Sequence, residues 1–291
     1  MKIVNTTDGF TQKVGIINAL KLNCEAGFEA LDLSIPVSFY TDEFRTSLAE
    51  IKNVADSYGL PFVQSHGPIP KITTLADKEG REAILYKLHR AVEGSGLLGV
   101  KNMIIHPIRL ADGDHNDQLG INLEFYSSVV EAARDAGIRL AIENMCGYKT
   151  DYKGDPVKHV CKSAEELKTF IDAFGTDVVT GCLDTGHARI SGEAPSEFVR
   201  TMGADYLSAL HIQDCDGIKD THTLPFLSLI NWGSFIKALA AIKYRGDITL
   251  EAVCFPRNMP AEMFPAAAKY MAATARYIRD EVVKLMNEDN K

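Results

Sequence analysis

Six short apolar runs in this chain each end in a histidine or an acid. They are Ser65-His66-Gly67-Pro68, Ile104-Ile105-His106-Pro107, Leu140-Ala141-Ile142-Glu143-Asn144, Cys182-Leu183-Asp184-Thr185-Gly186-His187, Ala209-Leu210-His211-Ile212-Gln213-Asp214 and Thr249-Leu250-Glu251-Ala252-Val253. Taken one at a time, each has an ordinary structural explanation. A histidine behind an apolar run is commonly a hydrogen-bonded core residue, and a buried glutamate can be held by an ion pair. Together they resist that explanation. If the runs converge, Glu143, Asp184 and Glu251 crowd three negative charges into one place, and none of the run ends supplies a Lys or Arg to offset them. A bound cation is the economical answer. Glu143, Asp184, His211 and Glu251 offer three carboxylates and one imidazole, a set suited to one divalent ion of the Mn²⁺ type, with Mg²⁺, Co²⁺ or Zn²⁺ as alternatives.

Convergence needs elements that bring the runs together. Eight strand candidates can be read from β-branched and aliphatic enrichment: Lys2–Asn5, Ala30–Ile35, Phe62–His66, Asn102–His106, Arg139–Asn144, Gly181–Asp184, Leu207–Gln213 and Ile248–Val253. Helical periodicity fills the gaps at Gln12–Ala26, Phe44–Tyr58, Lys78–Gly96, Leu123–Ala136, Ala164–Phe174, Ser196–Met202, Trp232–Lys243 and Ala261–Met286. Gly27, Gly59, Gly137 and Gly246 stand just beyond helical segments, where left-handed caps are expected, and Ser163 with Glu166 forms a capping-box pattern. Strands separated by helices pair in parallel. Eight such units in a chain of this length predict an α/β fold, a single (β/α)₈ TIM barrel over residues 1–291. No GxGxxG follows the first strand, which counts against an open dinucleotide-binding sheet.

A barrel builds its chemistry at the carboxyl ends of its strands, where all six runs terminate. Strands five to eight are neighbours, so Glu143, Asp184, His211 and Glu251 should point from one arc to a common centre. His66 and His106 fall on the opposite arc. His187, three residues after Asp184, and Asp220 and His222, in the loop after the seventh strand, fall around the same mouth. These five are expected to line a substrate pocket, with polar lining and metal contact equally open. Trp232, the only Trp, either walls that pocket or packs a helix against the barrel. Cys182 shares strand parity with Asp184 and should face the interior beneath the site. The segment Asn144–Lys162 is long for a barrel loop and reads as a lid or binding segment.

Composition removes other classes of function. The 291 residues carry 31 Lys+Arg against 39 Asp+Glu, a formal charge of −8, and are 46% hydrophobic. That describes a globular chain with a substantial core, and the acidic balance discourages nucleic-acid binding, which needs a basic face. The segments Ile69–Asp77 and Ile108–Asn122, which follow the third and fourth strand candidates, offer little basic charge. No apolar run approaches the roughly 18 residues of a membrane span. The opening MKIVNTTDGF turns polar after one Lys, so no secretory signal and a cytoplasmic location are expected. Six scattered cysteines without a CxxC pair read as thiols.

With these residues in place, the chain resembles the xylose-isomerase-like TIM-barrel superfamily, in particular its sugar phosphate isomerase/epimerase group, which also takes in endonuclease IV. The resemblance runs from Ile3 to about Ile278. It is carried by Ile142-Glu143-Asn144, Asp184-Thr185-Gly186-His187, His211-Ile212-Gln213-Asp214, the segment 220–226 with Asn231-Trp232, and Leu250-Glu251-Ala252. It implies that Glu143, Asp184, His211 and Glu251 bind one divalent metal, that Glu143 and Glu251 are also the catalytic acid/base pair, and that His187 contacts substrate. The implied reaction is isomerisation or epimerisation of a sugar or keto-polyol through a metal-bound enediolate. Ketose 3-epimerases carry an Arg shortly after the metal-binding His, whereas here the first base after His211 is Lys219. Two other outcomes remain open within the resemblance. One is a lyase or dehydratase acting on a keto-sugar, keto-inositol or C-glycoside. The other is an endonuclease IV-like zinc phosphodiesterase, for which His66, His106, Glu143, Asp184, His187, His211, Asp220, His222 and Glu251 supply matching ligand types. Barrels of this group are often oligomers, and the aromatic-rich stretch Phe255–Tyr277 offers an apolar contact for a homo-oligomer.

Overall fold

The computed structural model describes residues 1–34, 43–70, 75, 77–108, 115–147, 160–175 and 177–288. The strands are β1 (Ile3–Thr6), β2 (Ala30–Ser34), β3 (Phe62–His66), β4 (Asn102–Ile105), β5 (Arg139–Glu143), β6 (Val179–Asp184), β7 (Leu207–His211) and β8 (Ile248–Leu250). From β1 to β7 each strand pairs in parallel with the next in sequence, and β1 also pairs with β8. The circle closes through Ile212, just beyond β7. It bridges Leu250, receives the Glu251 N–H at 3.0 Å and donates to the Thr249 carbonyl at 2.9 Å. The result is an eight-stranded barrel whose last joint is this short seam.

Both faces of the strands are covered, so Leu31, Leu33, Met103, Ile105, Leu140 and Ile142 are all buried. Outward side chains join the main core with the helices, whereas Ile104, Ala141, Cys182 and Ala209 form a separate buried cluster. The period of two along a strand puts Ala141 with Glu143, Cys182 with Asp184 and Ala209 with His211 on one face. The inner layer of small apolar residues is thus the floor beneath the polar mouth, with Cys182 on that floor.

The helices are α1 (Asp8–Val14), α2 (Ile16–Ala26), α3 (Phe44–Ser57), α4 (Lys78–Leu98), α5 (His115–Asp135), α6 (Ala164–Phe174), α7 (Thr185–Ile190), α8 (Pro195–Tyr206), α9 (Trp232–Ala241) and α10 (Phe264–Glu288). Their stripes are plain: α3 buries Phe44, Leu48, Ile51 and Ala55, and α6 buries Leu167, Phe170 and Ile171. The expected helix Gln12–Ala26 is two helices, because Gly15 at φ 77°, ψ 160° breaks the path. Ser163 Oγ accepts the Glu166 N–H at 3.3 Å, and Glu166 reaches back to the Lys162 N–H at 3.2 Å, forming the expected cap. Gly27, Gly59 and Gly137 take left-handed φ, but Gly246 does not: Lys243 takes it instead at φ 53°. Gly246 is required for space, since a Cβ there would overlap the Tyr244 hydroxyl and lie 2.7 Å from the Ser208 carbonyl. The long loop expected at Asn144–Lys162 lies outside the described residues over 148–159, as do parts of the segments Ile69–Asp77 and Ile108–Asn122. Among the described residues, no helix is long and apolar enough to cross a membrane, and no disulfide forms.

Candidate active site

The strand ends are tied to one another by side chains that imitate a further rung of sheet. Asn144 Oδ1 accepts the Asp184 N–H at 2.7 Å while its Nδ2 donates to the Asp184 carbonyl at 3.1 Å, joining the ends of β5 and β6. Thr185 Oγ1 donates to the Gln213 carbonyl at 2.6 Å and accepts the Gln213 N–H at 3.0 Å, joining β6 to β7. Asp184 ends β6 and caps α7, accepting the His187 N–H at 2.6 Å. The short helix α7, unforeseen as an element, follows from that cap.

On this frame Glu143, Asp184, His211 and Glu251 each present a ligand-type atom, all within 4.8 Å of one another. Asp184 and His211 are fully buried, Glu143 nearly so, and Glu251 keeps 16% of its side-chain surface. Register pairing sets Asp184 beside His211, and Glu251 approaches from across the seam. His211 Nδ1 lies 3.1 Å from Glu143 Oε2 and 3.4 Å from Glu251 Oε2. On the far side, His106 Nε2 is 3.2 Å and His66 Nε2 3.6 Å from Glu143 Oε2, and the two Nε2 atoms are 3.2 Å apart. A third set forms at Asp220, whose Oδ2 meets His187 Nε2 at 3.2 Å and His222 Nε2 at 3.0 Å. His222 sits at φ 39°, a strained backbone for a non-glycine residue.

Several imidazoles are pre-oriented. A carbonyl can only accept, so Nδ1 carries the proton in His66 (to Gly67 O, 2.7 Å), His187 (to Asn144 O, 2.8 Å) and His222 (to Glu251 O, 3.1 Å). Their Nε2 atoms are left to face the carboxylates, the arrangement that metal-ligating histidines adopt. Glu251 Oε2 is buried without a hydrogen-bond partner, which a cation among the four residues would satisfy. For Glu143, burial works to raise the pKa, but the imidazoles of His211 and His106 hold it well below the ordinary carboxylate range. Burial pushes Glu251 up to about 7, opposed by His211 and His222 and reinforced by the charges of Glu143 and Asp184.

Two features of the site escaped sequence reasoning. Asp32 in β2 is fully buried and accepts from Gln64 Nε2 at 2.8 Å and from His211 Nε2 at 3.2 Å. Gln213 Nε2 donates to Asp184 Oδ1 at 3.2 Å and to Asp220 Oδ1 at 2.7 Å, linking two of the sets. Trp232 is buried, 3% exposed. It lies in the main core against Phe235, and its Nε1 donates to buried Asp214 Oδ2 at 2.9 Å. Asp214 also receives the N–H groups of Cys215, Ser228 and Ile230, so it folds the loop that carries Asp220 and His222.

Comparison with known proteins agrees with this architecture. The family of xylose isomerase-like TIM barrels matches residues 20–280, and the chain belongs to that family. Among relatives, it is 26% identical over 181 residues to the uncharacterized protein y4fM of Sinorhizobium fredii, covering 59% of this chain and 53% of that one. It is 24% identical over 176 residues to the probable endonuclease 4 of Acholeplasma laidlawii, covering 56% and 57%. It is 22% identical over 256 residues to the fructoselysine 3-epimerase of Shigella flexneri, covering 86% and 89%. The first two matches thus span little more than half of the relative's length. Similar solved structures include a D-tagatose 3-epimerase-like protein (TM-score 0.75, 19% identity, all of both chains). Another is the D-psicose 3-epimerase of Clostridium cellulolyticum H10 with D-tagatose (0.76, 18%, covering 96% and 99%). A third is the IOLI protein with a binding zinc atom (0.75, 16%, covering 98% and 99%). At these identities the structural likeness is one of fold.

Proposed function

We propose that the chain is a divalent-metal-dependent isomerase or epimerase of a sugar or keto-polyol, working as one barrel domain. The observation that carries this reading is the convergence of Glu143, Asp184, His211 and Glu251 within 4.8 Å, with a buried Glu251 oxygen that has no hydrogen-bond partner. These four would hold the ion, Mn²⁺ by preference, which when bound polarises a carbonyl and its neighbouring hydroxyl. The chain's residues then do the proton work. Glu143 comes from the end of β5 and Glu251 from just beyond β8, and the two carboxylates would share the work of removing a carbon-bound proton from the substrate and returning it. His66, His106, His187, Asp220 and His222 offer donors and acceptors for hydroxyl groups. A mouth of carboxylates and imidazoles suits an unphosphorylated polyol better than a phosphate. The epimerase names among the relatives and structures support the same class.

The test is a screen of ketoses, keto-inositols and 3-keto-glycosides with Mn²⁺ in deuterated water. One ion per chain is expected, with deuterium entering at a carbon next to the carbonyl, and Glu143→Gln or Glu251→Gln should abolish the exchange. A product that has lost water or an aglycone, without isomer formation, assigns the chain to the lyases.

A specific observation favours a second reading. His66, His106 and Glu143 form another group able to hold an ion, and His187 and His222 both aim Nε2 at Asp220. Three adjoining sets, two of them sharing Glu143, would suit a multi-zinc phosphodiesterase, in keeping with the endonuclease 4 relative. Three zinc ions per chain with cleavage of abasic DNA would establish it. One ion with carbon-bound exchange rejects it.

A further inference from the structure

We propose that Asp32 is the positioning residue that fixes the ring of His211 and thereby sets how tightly the mouth holds its divalent ion; this rests on the metal reading above. Both ring nitrogens of fully buried His211 face carboxylates: Nε2 meets Asp32 Oδ2 at 3.2 Å, and Nδ1 meets Glu143 Oε2 at 3.1 Å and Glu251 Oε2 at 3.4 Å. A histidine that ligates a metal is a neutral imidazole and keeps one N–H. Donating it to Asp32 leaves the Nδ1 lone pair directed into the group of four, where a cation accepts it and bare carboxylate oxygens would repel it.

His211 differs here from its neighbours. His66, His187 and His222 are pinned at Nδ1 by backbone carbonyls. In His211 the pinned atom is Nε2 and the acceptor is the Asp32 carboxyl group. A carboxylate behind an imidazole strengthens it as a ligand more than a carbonyl does. Asp32 is itself held in place. The β2–β3 register shifts between Leu31 and Asp32, bringing Asp32 opposite Gln64, whose Nε2 donates to the same oxygen at 2.8 Å. Asp32 is 0% exposed, its Oδ1 has no hydrogen-bond partner, and among the described residues it belongs to none of the groups able to hold an ion. A carboxylate buried at that cost, touching the ion's ligand and not the ion site, acts through the ligand.

The test uses full-length protein, Mn²⁺ affinity by competition with a chelating dye, and ring ¹⁵N–¹H spectra of the Zn²⁺-loaded protein. Asp32→Ala and the isosteric Asp32→Asn are expected to weaken Mn²⁺ binding by about 10- to 100-fold, with all four direct ligands intact. The His211 Nε2–H resonance should shift or vanish in both. Circular dichroism of the metal-free variants reports folding, and if the alanine variant does not fold, the asparagine variant decides. Mn²⁺ binding by both variants within about threefold of wild type, with the His211 ring signal unmoved, overturns the assignment alone. A wild-type protein that binds no divalent ion, or a His211→Ala variant that binds as well as wild type, overturns the metal reading and this assignment with it.

Discussion

Gly186 is glycine because Gln213 occupies the space a Cβ would need, with all three end atoms of the Gln213 amide crowding that point. The constraint reaches the chemistry, since the same amide bridges Asp184 to Asp220. Gly186→Ala is therefore expected to displace Gln213 and to cost about 1–3 kcal/mol by overpacking, read as a lowered urea midpoint, together with weaker metal binding. A variant as stable as wild type that binds metal equally well would show that the bridge is dispensable. Residues of this kind divide into those the sequence announces and those it hides. Glu143, Asp184, His211 and Glu251 stand out because each interrupts an apolar run at a strand end. Asp32 lies inside the run Leu31-Asp32-Leu33, where it reads as ordinary strand alternation, and its partner His211 is 179 positions away. Gln213 is legible only once the close approach of Gly186 is known.

Elements were legible where local chemistry decides them. Ser163 with Glu166 marks α6, and the glycines beyond α2, α3 and α5 mark their ends, because caps are set by adjacent residues. The eighth strand, expected to run to Val253, ends at Leu250, because beyond it only Glu251 N pairs across the seam. What holds α10 against the barrel also depends on distance. Arg276 donates to the Gly27 carbonyl at 3.1 Å, and Arg279 donates to Glu29 Oε1 at 2.6 Å, while Glu29 Oε2 accepts the Ile3 N–H at 3.1 Å. Burial works to raise the pKa of Glu29, but the hydrogen bonds from Arg279 and Ile3 hold it below its ordinary value. A folded-state pKa below the unfolded value of about 4.3 means that this stabilisation is present above that pH and lost as pH falls through the folded value. Glu29 is 40% exposed, so Glu29→Gln should cost no more than about 1 kcal/mol near neutrality. Thermal unfolding of the variant and wild type should converge as the pH falls through the lowered pKa of Glu29. A gap that stays constant with pH would show that the glutamate's charge contributes nothing.

At the scale of the whole molecule, the barrel's closure and its proposed metal site coincide. Seven joints of the barrel are runs of paired residues, whereas the eighth is the Ile212–Leu250 bridge with the Ile212 and Glu251 amide bonds. Three of the proposed ligands, Glu143, Asp184 and His211, lie on the β5–β7 side of that seam, and Glu251 lies on the β8 side. An ion held by all four would therefore link the two edges of the barrel where backbone pairing is thinnest. Without it, the same place gathers carboxylates whose mutual repulsion is eased by the imidazoles of His211, His106 and His222. A ligand that binds only the folded state stabilises it by about 2.7 kcal/mol at one hundred times its Kd, and here the gain should be concentrated at the seam. Amide hydrogen exchange at Ile212 and Glu251 should slow markedly on adding Mn²⁺ and recover on chelation. Exchange in the β2–β3 joint should change little beyond the global effect. Equal protection at both joints would mean that the ion stabilises the fold without closing it. Slowing confined to the seam would make metal loading part of how this barrel is completed, so that Glu251 serves both as a ligand and as the last tie in the ring.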